Sequence, residues 1–366
     1  MEAKLSMTDR CRFRRSAKLG TLGMEDGRPV LPTRADVLGL LSVSRAAALD
    51  GVLDGVLHDV LFEPIEAFAA RRGKRFRSRL VTLGFRLAGG DPDGAPHRRR
   101  CWLAGEAVEL IHAGSLIVDD IEDGSLFRRG APALHRLYGL PIALNIGNWL
   151  YFWPAEIFKR LRLTPGEELL VGQYYYRTLL KAHYGQALDL GVAVDNLQQA
   201  CTADVCLAAM ELKTGALIAL AVCVGAILAG ASRDQLAPTE EFGLRFGMAL
   251  QMFDDIGNAS SRRDPAKQYE DLVLRRPSWL WACAARGSSP QQFSDFVACV
   301  KRLPDTAALN AWLERHRLIE SAKLQAREFL ANACGILEES AADLRFSSDA
   351  LQQLRDLGQK VALAYD

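Results

Sequence analysis

Four acids, Asp119, Asp120, Glu122 and Asp123, close a stretch that is otherwise almost wholly apolar: ELIHAGSLIVDDIEDGSLFRRG, Glu109 to Gly130. Packing gives an apolar helix no reason to end this way. Carboxylates at such density are either held apart by water or drawn together by cations. Asp119 and Asp123 are four apart and share a face on a helix. Two carboxylates on one face, at the mouth of an apolar groove, suit Mg²⁺. That hard ion takes one or two carboxylates together with water and substrate phosphates.

A second apolar helix, expected over 239–257, closes in QMFDDIGN with Asp254 and Asp255 at its tip. In a helical bundle two such tips can face one cavity. Carboxylates on opposite walls would then bind several Mg²⁺ ions bridged by a diphosphate. Lys213, Arg128 and Lys267 would complete the cage. The ions would stabilise negative charge on a departing diphosphate, and the apolar wall would hold a hydrocarbon tail. That combination suits ionisation of an allylic diphosphate to a carbocation. Gln251 and Phe253 are placed to stabilise such a cation away from water. Upstream, RRGKRFRSRL (71–80) opens an apolar run. A helix N-terminus with added cations is a natural diphosphate site.

The elements that position these groups are helical. Of 366 residues, 49% are apolar and 24% charged, which excludes overall disorder. Strand-like alternation is nearly absent, so an all-α fold is expected. Helices are expected over 52–70, 102–123, 143–162 with an interruption near Pro154, 172–190, 203–230 and 239–257. Four more follow from Phe293 and carry no motif. Residues 89–100 read as a loop, and 163–168 as a turn and a fresh helix start. Lys213 and Thr214 interrupt the apolar run 203–230, and a buried lysine there needs an anionic partner. The run from Gly215 is marginally short for a membrane span and reads as a helix buried in protein. Residues 1–33 read as a mobile basic leader and 34–366 as a single domain, with no linker between two domains. A net charge of +1 gives no sign of nucleic acid as a partner. Eight scattered cysteines form no CxxC pair, and reduced thiols fit a cytoplasmic protein.

These motifs resemble the trans-isoprenyl diphosphate synthases, the polyprenyl synthase family, over roughly residues 60–285. GKRFR (73–77) resembles GKRxRP, with Ser78 in place of proline. IHAGSLIVDDIED, continued by SLFRRGAPALH, resembles the first aspartate-rich motif. GQALDL, KTGAL and FGMALQMFDDIGN resemble later ones. The resemblance implies an isoprenoid synthase helical bundle around a deep central cavity, and a homodimer. It implies that Asp119 and Asp123 bind two Mg²⁺ ions and Asp254 a third, with Asp120 and Asp255 in support through water. Arg128, Lys213, Thr214 and Lys267 would hold the allylic diphosphate. Lys74, Arg77, His112 and Arg129 would hold isopentenyl diphosphate, the second substrate.

The departures from the family pattern bear on the reaction. The second motif ends in Asn258, not Asp, which keeps a ligand oxygen and loses a charge. Asp254, Asn258 and Arg262 follow the spacing of the second metal motif of class I terpene cyclases, but Arg262 stands where an acid is expected. RRPSW (275–279) stands where the family has GKxTLP. Arg276 there replaces the lysine charge with a fork suited to bidentate contacts. Gly114 and Ser115, one turn before Asp119, are small where bulky aromatics limit chain length, so a deep cavity with room for C20 or longer is expected. The leading expectation is head-to-tail prenyl transfer. The rivals are a synthase-like terpene synthase acting without condensation and a non-catalytic synthase subunit.

Overall fold

The most apolar run of the chain, Ala216 to Leu228, becomes a helix with every residue buried. The computed structural model describes residues 55–71, 73, 75–259 and 268–364, with isolated positions at 30, 31, 36 and 40. The chain divides into two compact units, Met1–Arg72 and Gly73–Asp366. In the first, a π-helical turn at His58–Phe62 leads into α1 (Glu63–Ala69). Most of the expected leader and the site candidates Lys74 and Lys267, with Arg262, lie outside the described residues.

The second unit is helical almost throughout. It begins with α2 (Phe76–Leu87), α3 (Ala95–Glu122), α4 (Leu134–Tyr138), α5 (Leu140–Lys159) and α6 (Pro165–Gly191). Next come α7 (Gln199–Met210), α8 (Ala216–Leu228), α9 (Arg233–Ala259), α10 (Glu270–Val273) and α11 (Trp279–Gly287). The last five are α12 (Pro290–Val300), α13 (Ala307–Arg315), α14 (Leu318–Glu339), α15 (Ala341–Leu344) and α16 (Ser348–Leu363). Among the described residues the strands are two short ones, Phe127–Arg128 and Ala131–Pro132, paired antiparallel. Their two-residue loop, Arg129 and Gly130, has positive φ at both positions, as the tight hairpin turn matching strand twist requires.

The core forms around α8, which packs between α2, α6 and α9, while α3 packs along α5. Glycines set how closely α8 and α2 approach. A Cβ on Gly84 would lie 2.1 Å from the Val222 carbonyl oxygen, and one on Gly225 2.0 Å from that of Val81. Two long helical runs, Pro96–Glu122 and Gln199–Leu228, are apolar enough by length and composition to cross a membrane. Their apolar windows are, however, 61% and 78% buried inside the protein.

Three expectations change. The central helix starts at Ala95 rather than Trp102, because Pro96 sits in the first turn, where its missing N–H costs nothing, and carries His97–Arg100 into the helix. The stretch read as a loop over 89–100 is correspondingly shorter. Helix α5 runs unbroken through Pro154, whose ring is buried. The helix start expected within 163–168 is present, capped reciprocally by Thr164 and Glu167, and it runs without a break into the helix expected from Gly172 as one element, α6.

The close approach at Gly84 yields a stability prediction. Gly84→Ala is expected to destabilise the protein by about 1–3 kcal/mol, because neither backbone can yield without moving a packed helix. An unchanged denaturation midpoint would show that α2 and α8 separate freely.

Candidate active site

The first acidic tip sits at the C-terminal end of α3, and helical phase separates its members. Asp119 and Asp123 point one way; Asp120, one residue on, turns into the protein and is fully buried. Its Oδ1 accepts from Arg128 Nε at 2.7 Å, and the hairpin that carries Arg128 is pinned by Ser125 N–H donating to the Asp120 carbonyl at 2.9 Å. The Oδ2 of Asp120 is buried and accepts no hydrogen bond among the described residues. Asp119 accepts from Lys213 Nζ at 3.1 Å, from Gln186 Nε2 at 3.2 Å and from Arg128 at 3.4 Å. Asp123 accepts from Arg276 at 2.7 Å.

Lys213 reaches this tip from a π-helical turn, Glu211–Gly215, between α7 and α8. Its ammonium bridges Asp119 and, at 3.0 Å, Asp189 of α6. Burial alone would favour the neutral amine, but the two carboxylates outweigh it and hold the pKa above its ordinary value. The anionic partner expected for a lysine in this run is thus present twice, around a side chain that is only half-buried. Burial likewise pushes Asp119 up, but Lys213 and Arg128 bring it below its ordinary value. Asp123 has less compensation. Burial and then the charge of Asp119 raise it to about 6 against the pull of Arg276.

At the second tip the two aspartates differ as sharply. Asp254 is exposed, whereas Asp255 is buried. Asp255 accepts from Trp279 N–H at 2.7 Å and from Gln251 Nε2 at 2.8 Å. Burial, followed by the charge of Asp271, pushes it well above the usual carboxylate range. Gln251 also accepts from Thr214 Oγ1 at 2.8 Å. Its amide is therefore committed at both ends to holding Thr214 and Asp255, rather than lying open for a cation as expected. Phe253 is buried, at 1% exposure. Asn258 follows one turn on, half-buried.

Asp271 was not singled out in the sequence. It lies on α10, in a segment without helical period. Burial, then Asp189, Asp254 and Glu270, raise it to about 7. Lys213 ties Asp189 to Asp119, and its neighbour Thr214 donates to Gln251, which in turn donates to Asp255, so a chain of side-chain contacts runs from one acidic tip to the other.

Beside them lies the expected basic group. Arg77, Arg129 and Arg128 all depress His112, but burial depresses it first, so its imidazole stays neutral well below the ordinary range. Burial lowers Arg77 to about 10 despite the opposing charge of Glu109. The Nε of Arg77 is buried and makes no hydrogen bond among the described residues. Gly73 lets the preceding loop approach Arg129, since a Cβ there would be 3.0 Å from its guanidinium. The first turn of α2 is partly claimed already: Ser78 N–H donates to Glu109 Oε1 at 3.0 Å. The cations expected to hold an anion here are thus presented by side chains, the first turn of the helix being already engaged.

Gly114 has a use in packing. A Cβ there would lie 2.8 Å from the Gly147 carbonyl oxygen, so its small size lets α3 and α5 touch. Ser115 turns its hydroxyl back to the His112 carbonyl at 2.9 Å.

An almost wholly helical bundle, with a lysine bridging the acidic end of α3 to α6, has the all-α fold of the isoprenoid synthases. The sequence profile of the polyprenyl synthetase family matches residues 58–314. The chain belongs to that family. It is 32% identical to a geranylgeranyl diphosphate synthase of Sulfolobus acidocaldarius, over half of this chain and 54% of the relative. It is 28% identical to a geranylfarnesyl diphosphate synthase of Aeropyrum pernix, over 78% of this chain and 89% of the relative. The chain spans little more than half the length of several curated relatives it matches. The fold is similar to that of a geranylgeranyl pyrophosphate synthase from Corynebacterium glutamicum, solved with isoprenyl diphosphate and magnesium. The TM-score is 0.71 at 21% identity, covering 86% of this chain and 94% of that one.

The raised carboxyl of Asp271 yields a pH prediction. Asp271 binds its proton more tightly folded than unfolded, so its contribution to stability is lost as pH rises from the ordinary carboxylate range through about 7. Asp271→Asn is expected to flatten the pH dependence of the melting temperature over that window and to raise it by a few degrees at pH 8. An unaltered slope would show that Asp271 is ionised at little cost.

Proposed function

We propose that the protein is a Mg²⁺-dependent trans-prenyltransferase. It would ionise an allylic isoprenyl diphosphate and join the cation head-to-tail to isopentenyl diphosphate. The observation that supports this reading is a pair of charged groups: the acidic helix ends with Lys213 and Arg276 between them, and the Arg77, His112 and Arg129 group. One diphosphate explains the first, and a second diphosphate gives the other a purpose.

The residues fit Mg²⁺. Among the described residues no group of three or more His, Cys, Asp and Glu side chains could cage a metal alone. What is present is hard oxygen in ones and twos, at Asp119, Asp123 and Asp254, the supply this ion takes when substrate phosphates and water complete its shell. Bound there, the ions would offset the charge of the leaving diphosphate. Asp120 and Asp255, both buried and hydrogen-bonded, would hold Arg128 and the α11 start in place rather than reach the ions. Lys213 and Arg128 would grip the allylic diphosphate, joined by Lys267 and Thr214 on the strength of the family motifs. Arg129, Arg77 and Lys74 would bind isopentenyl diphosphate. A neutral His112 would donate to its phosphate or accept from a neighbouring arginine without adding repulsion. The names of the relatives support chain elongation, and a homodimer follows by the same analogy.

The test is incubation of purified protein and Mg²⁺ with farnesyl diphosphate, with and without isopentenyl diphosphate. A longer diphosphate formed only with both substrates is expected. A hydrocarbon or alcohol from farnesyl diphosphate alone would replace this reading with the terpene synthase one, and no turnover would leave a non-catalytic subunit. Asp119→Ala is expected to lower turnover by about 100-fold or more. Arg129→Gln, at an exposed position, is expected to raise KM for isopentenyl diphosphate while leaving that for the allylic substrate unchanged.

A further inference from the structure

Arg276 holds a central place in the site. Its guanidinium donates to Asp123 at 2.7 Å and to the Asp189 carbonyl at 2.6 Å, linking the ends of α3 and α6. The residue before it is one of seven non-glycine residues with positive φ among the described residues. Arg275 has φ +57, a left-handed conformation that suits glycine and strains other residues. Glycine is what the GKxTLP motif of the resembled family places there. An arginine in that seat carries a backbone cost and brings a charged side chain that a carboxylate can orient.

We propose that Asp195 is a positioning residue that seats Arg275, and through it sets Arg276 on Asp123 and Asp189. Asp195 lies in the 3₁₀ turn Val194–Asn196, just beyond the end of α6. Its side chain is 1% exposed, and its Oδ2 pairs with Arg275 and with Lys301, each at 3.7 Å. The preceding residue, Val194, donates its N–H to the Arg275 carbonyl at 3.1 Å. The same short turn thus grips Arg275 by backbone and by charge. From the other side, Arg276 N–H donates to the Asp271 carbonyl at 2.8 Å. Arg276 is held between these two grips with little freedom to swing.

A purely stabilising role fits Asp195 poorly. Its Oδ1 is buried and accepts no hydrogen bond among the described residues. Its two ion pairs are longer than hydrogen bonds, and both cationic partners are half in water. A buried carboxylate so poorly satisfied gives little net stability against its desolvation. Its geometric effect is direct, because it fixes a strained residue adjacent to one that touches the site.

This inference rests on the proposed role of Asp123, and the test separates the two. The full chain carrying Asp195→Asn is compared with wild type, Arg276→Gln, the double variant, and Asp195→Asn combined with Arg275→Gly. Asp195→Asn is expected to lower kcat/KM for the allylic diphosphate about 10-fold with no fall in melting temperature. It should cause no further loss in the Arg276→Gln background, since contacting residues acting as a unit are non-additive. Glycine at position 275 needs no anchor, so it should restore most of the activity. A further readout needs no turnover: the Arg276 side-chain ¹⁵N signal, assigned by its loss in Arg276→Gln, should move in Asp195→Asn. Full activity of Asp195→Asn, an equal further loss without Arg276, or an unmoved Arg276 signal would each overturn the inference. Failure of the wild type to turn over any allylic diphosphate would sink the functional reading alone, and the Arg276 signal would still decide the anchor.

Discussion

Carboxylates that share a small, partly buried volume repel one another, and the architecture around the site answers that repulsion. Asp119, Asp123, Asp189, Asp254 and Asp271 come from four separate helices. Two cations, Lys213 and Arg276, are threaded between the acids, each touching two elements at once. Arg128 takes the outer side of the same tip. The charges alternate, so removing a cation would leave buried like charges facing each other. The remaining imbalance shows in the acids that burial and neighbours push upward, Asp123, Asp255 and Asp271. Under the proposed reading that residual negative charge is what divalent ions would neutralise.

Much of this was legible in the sequence because it is periodic. Apolar residues at helical spacing give α3, α8 and α9, and acids placed where that spacing stops mark their functional ends. The need for an anionic partner at Lys213 follows from its place in an apolar run, and the structure supplies Asp119 and Asp189. The roles inside each acidic pair were less legible. Spacing puts Asp119 and Asp123 on one face, but nothing local says that Asp120 is wholly buried on Arg128 or that Asp255 is capped by the Trp279 amide. Those partners lie in other segments and are set by how the helices meet. Asp271 escaped for the same reason: its segment has no period, and its neighbours are distant in sequence.

Gly114 shows that a small residue can serve packing as well as a cavity. Its position one turn before Asp119 invites a reading about cavity depth. The backbone contact with Gly147 gives a simpler cause, since α3 and α5 must touch for the acidic tip to sit where it does. The same is true of Gln251, whose amide oxygen and nitrogen are both engaged within the protein. A residue type suited to a substrate is equally suited to bracing the residues that meet the substrate, and only the partners decide.

The π-helical turn at Lys213 shows how the core and the site are reconciled. Helix α8 is buried along its whole length, so its rotation is fixed by packing against α2, α6 and α9. The helix before it is fixed in turn by its contacts with α11 and α6. A regular α-helical join would have to satisfy both rotations at once. The wider turn of Glu211–Gly215 adds a residue between them and frees the phase of the join. That freedom lets a lysine within an apolar run reach Asp119 and Asp189. Gly185 completes the fit, because a Cβ there would lie 2.6 Å from the Lys213 backbone nitrogen, and α6 could not bring Asp189 alongside. The irregularity in the helix and the glycine opposite it are thus two parts of one arrangement, placing a single positive charge between two acids without disturbing the core.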